Sequence, residues 1–208
     1  SGALARFAPN AALRPERFAG EELGATLQRG TWDLQLVGFR QRTDDAVVRI
    51  TLPDRRFQRV NRDEYRARGL ELLGGIVLGR AELRGDVTWQ QATIRDALAG
   101  AAERAPENLP STFGSLTATL PAWRGVLATA RVRHASRTTC LGATATTRIA
   151  QPGATTLDVG AERRWSLQGV TSRLRAMVML DNVLDRAMYD QCGLPMPGRT
   201  LRIGVSMG

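Results

Sequence analysis

His134 and Ser136 are the residues whose types most readily suggest chemistry, since an imidazole beside a hydroxyl is the raw material of a general base and a nucleophile. No acid stands at a spacing that would orient the imidazole as in a hydrolase triad, so no catalytic residue is assigned and the chain is not expected to be an enzyme. Cys140 and Cys192 could bond to each other or ligate a metal. One histidine and two cysteines fall short of the four donors of the usual zinc site, so neither a metal nor a cofactor is expected. All 29 basic residues are arginine, and the absence of lysine excludes Schiff-base chemistry and a lysine-bearing phosphate loop.

The 208 residues are 43% hydrophobic and 24% charged, the composition of a folded chain. A net charge of +9 raises the question of nucleic acid. The arginines, however, run from Arg6 to Arg202 in singles and pairs rather than clustering on one arm, so no nucleic-acid partner is expected. No apolar stretch approaches the roughly 18 residues of a spanning helix. The longest, Leu72 to Gly79, holds three glycines.

The elements that must carry these residues show period-two alternation. Leu83, Gly85, Val87 and Trp89 alternate with Arg84, Asp86, Thr88 and Gln90. Leu174, Ala176, Val178 and Leu180 oppose Arg173 and Arg175, and Leu201, Ile203, Val205 and Met207 oppose Thr200, Arg202, Gly204 and Ser206. Only the alanine-rich segment Ala97 to Arg104 reads as helical. The pattern predicts strands over Gly20–Arg29, Trp32–Thr43, Tyr65–Leu78, Ala81–Arg95, Phe113–Leu120, Gly125–Ala135, Thr155–Gln168, Gly169–Asp181 and Arg199–Gly208.

Connection lengths alternate as well. Short turns fall at Gly30-Thr31, Gly79-Arg80, Pro121-Arg124 and Gln168-Gly169, and long loops at Asp44–Glu64, Asp96–Thr112, Ser136–Ala154 and Asn182–Gly198. Tight turns at one end and long loops at the other are the pattern of an all-β, antiparallel up-and-down meander of about nine transmembrane strands. Trp32, Trp123 and Trp165 lie beside short turns, and Phe18, Tyr65 and Phe113 near long-loop ends, as two aromatic girdles would require; Trp89 falls mid-strand. Nine strands do not close a bacterial barrel, whose strand number is even, so either the count is off by one or the chain is part of a larger barrel, the second being the expectation.

Several phrases resemble one family. Leu13-Arg14-Pro15-Glu16 followed by Glu22-Leu23-Gly24 resembles the opening of the C-terminal half of TonB-dependent receptors, and Val60-Asn61 with Gly69-Leu70-Glu71 is similar to a later strand. Asn182-Val183-Leu184-Asp185, then Tyr189, then Pro197-Gly198-Arg199 is similar to that family's closing segment. The resemblance implies a siderophore-receptor-like transporter of the bacterial outer membrane, a plugged barrel of about 22 strands importing an iron–siderophore or similar scarce chelate. Residues 1–208 would then be the C-terminal portion of the barrel, without the plug domain. The expected partners are the N-terminal plug and remaining strands of the same receptor, the TonB complex reached through that missing N-terminus, the chelate, and outer-membrane lipid. A passive porin-type or secretion barrel is the alternative reading.

Within the resemblance, Pro15, Glu16, Glu22, Gly24, Asn61, Gly69, Glu71, Asn182, Asp185, Tyr189, Pro197, Gly198 and Arg199 are structural motif residues, with Asn182 and Asp185 expected to order the last long loop. Cys140 and Cys192 fall in long loops on the same side, where a disulfide and two free thiols both remain open. Arg84, Arg131, Arg133, Arg173, Arg175 and Arg202 are expected on the lumen face, either meeting a plug or steering an anionic chelate. His134 reads as a rim residue.

Overall fold

The computed structural model describes residues 7–96, 103–141, 147–166, 173–191 and 193–207. Every long element among them is a strand: β1 (Arg17–Arg29), β2 (Trp32–Thr51), β3 (Phe57–Leu78), β4 (Ala81–Asp96), β5 (Thr112–Pro121), β6 (Val126–Ala135), β7 (Ala154–Ser166), β8 (Arg173–Asp181) and β9 (Thr200–Met207). They hydrogen-bond in chain order from β1 to β9, so neighbours in the sheet are neighbours in sequence. From β4 onward each pairing is antiparallel. The all-β meander anticipated from alternation is the architecture that forms. No described helix is long and apolar enough to cross a membrane, which says nothing of strands.

The short connections are tight because the chain supplies residues for them. Gly30 (φ 57°) and Gly79 (φ 62°) take the left-handed backbone that a two-residue turn needs. The Thr31 carbonyl accepts the Val77 amide at 2.8 Å, which ties the start of β2 to the end of β3. The third short connection is a 3-10 turn over Trp123–Gly125. The expected turn at Gln168-Gly169 lies outside the described residues.

Two expectations are corrected. Most of the anticipated loop Asp44–Glu64 is strand: β2 runs to Thr51 and β3 begins at Phe57. Apolar alternation vanishes there, so pattern reading stops early, but the two strands remain paired through their backbones, with one cross-strand ion pair, Arg42 to Glu64, at the base of the extension. Arg42 meets Asp44 at 2.8 Å and Glu64 at 2.8 Å, and Arg66 meets Glu64 at 2.7 Å. The second correction is confined to the end of the segment anticipated as helix, Ala97 to Arg104. Residues 97–102 lie outside the described residues, and Glu103–Arg104 is a short strand paired with Ile94 and Arg95, the free edge of β4 offering backbone partners that alanine content could not reveal.

The chain divides into two compact units, Ser1–Leu23 with Gly38–Gly69 and Gln90–Pro106, and Gly24–Val37 with Leu70–Trp89 and Glu107–Gly208. The first unit is held at Asn61. Its Oδ1 accepts the Arg14 amide at 2.7 Å, and its Nδ2 donates to the carbonyls of Arg14 (2.8 Å) and Asp45 (2.7 Å). Glu16 accepts the Val47 amide at 2.5 Å, and Asp45 receives Arg14 and Arg17 at 2.7 and 3.1 Å.

The second unit is a wall with two chemically opposite faces. One row across it reads Leu83, Ala118, Ala130, Val159, Leu180, Leu201; the adjacent-parity row reads Arg84, Thr117, Arg131, Asp158. Burial is inverted relative to a water-soluble fold. Ile203 and Val205 are 73% and 71% exposed, whereas Thr156 and Asp158 are 1% and 5% exposed. Among the described residues the only buried hydrophobic side chains are Ala67 and Cys140. Such a wall is stable where its apolar face meets hydrocarbon rather than water.

Register also explains the aromatics. Trp89 pairs with Thr112, the first residue of β5, so it stands level with that strand's long-loop end, and it looks mid-strand only because β4 overshoots. Phe113 departs from the expected girdle: it pairs with Thr88 and Ala135 on the polar face, because strand parity fixes its side once Leu116 faces the apolar side.

Candidate functional site

The polar face of the second unit gathers the charged side chains. Arg84 bridges Glu82 at 2.5 Å and approaches Asp33 at 3.7 Å; Arg202 is bidentate to Asp181 at 2.5 and 2.8 Å; Glu162 receives both Arg164, at 2.6 Å, and Arg175. Arg131 donates to Thr117 Oγ1 at 3.1 Å, and Ser115 donates to Asp86 at 2.5 Å. These strands place an acid within reach of most guanidiniums, so the face is polar but largely self-neutralised. Between Asp33, Arg84, Asp86, Ser115, Thr117 and Arg131 lies a polar recess of 490 Å³. Of the arginines anticipated on one face, Arg84, Arg131, Arg133, Arg175 and Arg202 share it; the side chain of Arg173 lies outside what the structure describes.

Toward the long-loop end this face tightens into a buried knot. Asp158 accepts the Asn182 amide at 2.8 Å and binds Arg133 at 2.9 Å. A carboxylate at 5% exposure is tolerable only with such partners. Asn182, itself 4% exposed, reciprocally bonds the backbone of Arg186, at 2.9 Å as donor and 3.0 Å as acceptor. Asp185 accepts the Arg199 amide at 2.9 Å, and Arg199 Nε donates to the Val183 carbonyl at 3.1 Å. A Cβ on Gly198 would stand 2.7 Å from Asp185 Oδ1, so a larger residue there would require that carboxylate to shift from its present place on the Arg199 amide. Asn182, Asp185, Gly198 and Arg199 thus form a clasp joining the end of β8 to the start of β9, a loop-ordering role.

Of the other motif residues, Asn61 and Glu16 organise the first unit, while Tyr189 lies in a short strand, Tyr189–Gln191, paired with Leu194–Pro195. Gly24 lies against β2, where a Cβ would meet Val37 Cγ2 at 3.4 Å. Glu22 is exposed on β1, Gly69 and Glu71 are half-buried on β3, and Pro15 and Pro197 are exposed outside the strands.

His134 lies at the long-loop end of β6 on the apolar face, its Nδ1 2.8 Å from Thr155 Oγ1, with no acid or nucleophile arranged around it. Cys140 is fully buried and disulfide-bonded, in the strand Thr138–Leu141 that pairs with Arg148–Gln151. Cys192 lies outside the described residues. Among the described residues no group of histidine, cysteine and acid side chains could hold a metal.

Sequence reading missed Asp158, whose single position on an alternating strand carries no mark of its two partners. It also missed a recess of 480 Å³ in the first unit, lined by Arg40, Arg42, Arg66, Arg68 and Gln91. The repeated Arg-x-Arg at 40/42 and 66/68 was the available signal.

The family described as "TonB dependent receptor-like, beta-barrel" matches residues 1–183. The chain belongs to the TonB-dependent receptor family. That family is one of transport receptors of the bacterial outer membrane. Solved structures agree on the fold. The FrpB iron transporter from Neisseria meningitidis (F3-3 variant) superposes with a TM-score of 0.74 at 19% identity, over 96% of this chain and 31% of that one. BauA, the ferric preacinetobactin receptor from Acinetobacter baumannii, gives 0.73 at 20% identity over 92% and 29%, and the copper transporter OprC gives 0.72 at 15% over 94% and 31%. The chain therefore spans under a third of the length of these three proteins. No curated protein matches it in sequence.

Proposed function

We propose that residues 1–208 form the C-terminal portion of the barrel of an outer-membrane receptor for TonB-dependent uptake of an iron–siderophore or similar scarce chelate. The observation that carries this reading is the two-faced wall, apolar where lipid would stand and ion-paired where water would, in a chain of the TonB-dependent receptor family. The polar face, with Arg84, Arg131, Arg133, Arg175 and Arg202, lines the lumen and meets a plug supplied elsewhere in the receptor. Because most of these arginines already have acid partners, contact with a plug is favoured over a free cationic track for an anionic chelate. Other strands of the receptor pair with β1 and β9, which end the sheet among the described residues.

The cysteine pair belongs to the same reading. Gln151 Nε2 donates to the Gln191 carbonyl at 3.0 Å, and Cys140 pairs with Ile149 two residues before Gln151. This supports a Cys140–Cys192 bridge tying two long loops together, a bond suited to the oxidising cell surface.

The test deletes the full receptor gene from its host and follows uptake of radiolabelled ferric chelates with and without a functional TonB. Loss of uptake on either deletion is the expected result. Uptake that persists without TonB would replace this reading with a passive channel.

A further inference from the structure

Arg163 and Arg164 are adjacent on β7 and point to opposite faces. Arg164 meets Glu162 on the polar side, whereas Arg163 shares the apolar face with Val159 and Ala161 and pairs in register with Val126 and Ala176. Arg163 has no hydrogen bond or ion pair among the described residues; its guanidinium lies 5.0 Å from the ring of Trp165. Nearby, in the 3-10 turn that leads into Val126, Arg124 repeats the arrangement. It is likewise without a polar partner among the described residues, takes the left-handed backbone (φ 55°), and stacks 4.2 Å over Trp123, whose side chain is among the most exposed of the large hydrophobics. The two other described short turns of this unit each carry an exposed arginine, Arg29 and Arg80; the acids next along the chain, Asp33 and Glu82, lie on the polar face beside Arg84.

An unpaired guanidinium on an apolar wall is tolerated where it can reach an anion at the membrane surface, and tryptophan favours the same depth. Stacking on an indole leaves the N–H fork free, and that planar fork matches phosphate oxygens. We infer that Arg124 and Arg163, each held on its tryptophan, bind the phosphate of an anionic phospholipid headgroup at the short-turn end of the wall. Arg29 and Arg80 extend the cationic rim. The site rests on the reading that the apolar face stands in a bilayer, and it fixes the depth at which the wall rides there.

The experiment uses the intact receptor containing this chain, folded in detergent and in lipid nanodiscs, with native mass spectrometry reading retained lipid. Phosphatidylglycerol is offered against phosphatidylcholine. The parent should prefer phosphatidylglycerol, and Arg124→Gln with Arg163→Gln should weaken that preference by about thirtyfold, the product of two cations near a headgroup. Removing the same charge by Arg55→Gln with Arg59→Gln, at the long-loop end, should leave the preference intact. Arg124→Lys with Arg163→Lys should restore part of it, and heat-modified electrophoretic migration verifies that each variant folds. Equal retention in parent and glutamine pair, equal loss in both glutamine pairs, or retention of phosphatidylcholine as strong as that of phosphatidylglycerol in the parent would overturn the headgroup site. A receptor that fails to enter bilayers at all would overturn the membrane reading and the site with it.

Discussion

Replacing Asn182 with alanine is expected to open the clasp between β8 and β9 while leaving the wall paired. The native side chain makes two bonds to the Arg186 backbone, at 2.9 and 3.0 Å. Each such bond contributes about 1 kcal/mol net. Asn182 also sits at φ 48°, where asparagine is accommodated and alanine loses on the order of 1 kcal/mol. The sum, about 3 kcal/mol, corresponds to local opening on the order of a hundredfold more frequent. Amide hydrogen exchange on the intact receptor reads this at Arg186, at Arg199 (bonded to Asp185) and at Val183, whose amide donates to the Leu157 carbonyl at 2.7 Å. Amides of the β6–β7 ladder provide the internal reference. Asn182→Gly separates the contributions, since it accepts the left-handed backbone and should show only the hydrogen-bond loss, about 2 kcal/mol. Unchanged exchange at Arg186 and Arg199 in the alanine variant would refute the reasoning that Asn182 holds this loop.

Gly114→Ala should destabilise the wall by about 1–3 kcal/mol, because its Cβ would overlap the Asp86 carbonyl oxygen, a backbone atom no rotamer change can move; a lowered temperature of heat-modified migration checks it. Asp54, at the tip between β2 and β3, is held below the usual carboxylate range by the Arg56 amide, at 3.0 Å, and then by its guanidinium, at 2.7 Å. A depressed folded pKa means this contribution is present above the unfolded value and lost as pH falls through the folded one, so protection of the Arg56 amide should drop only in acid, below about pH 4, and Asp54→Asn should abolish that dependence. Alkylation of the denatured receptor should modify Cys140 and Cys192 only after reduction; modification without reductant would exclude the bridge between them.

The strands of the second unit were legible because a wall with one apolar and one polar face imposes alternation on the sequence itself, as Leu83 to Gln90 and Leu201 to Met207 display. Over residues 44–51 and 57–64 that alternation lapses and strand became indistinguishable from loop; the ion pair of Arg42 and Glu64 is visible only after folding. The clasp was partly legible, since Asn182 and Asp185 mark an ordered turn locally. Asp158 was not, because its partners Arg133 and Asn182 lie 25 and 24 residues away. Nor was the opposition of Arg163 and Arg164 legible as two environments, since it requires the register that pairs Arg163 with Val126.

The separations along the chain carry a consequence for the order in which the protein assembles. The clasp closes over 4, 14 and 16 residues, through Asn182 with Arg186, Asp185 with Arg199, and Val183 with Arg199. The junction at Asn61 must close 47 residues to reach Arg14. By chain-closure entropy the longer span is disfavoured by about 2 kcal/mol relative to a four-residue one. The last hairpin therefore closes its clasp from its own sequence at a smaller entropic cost than the junction between Arg14 and Asn61, whichever segment emerges first.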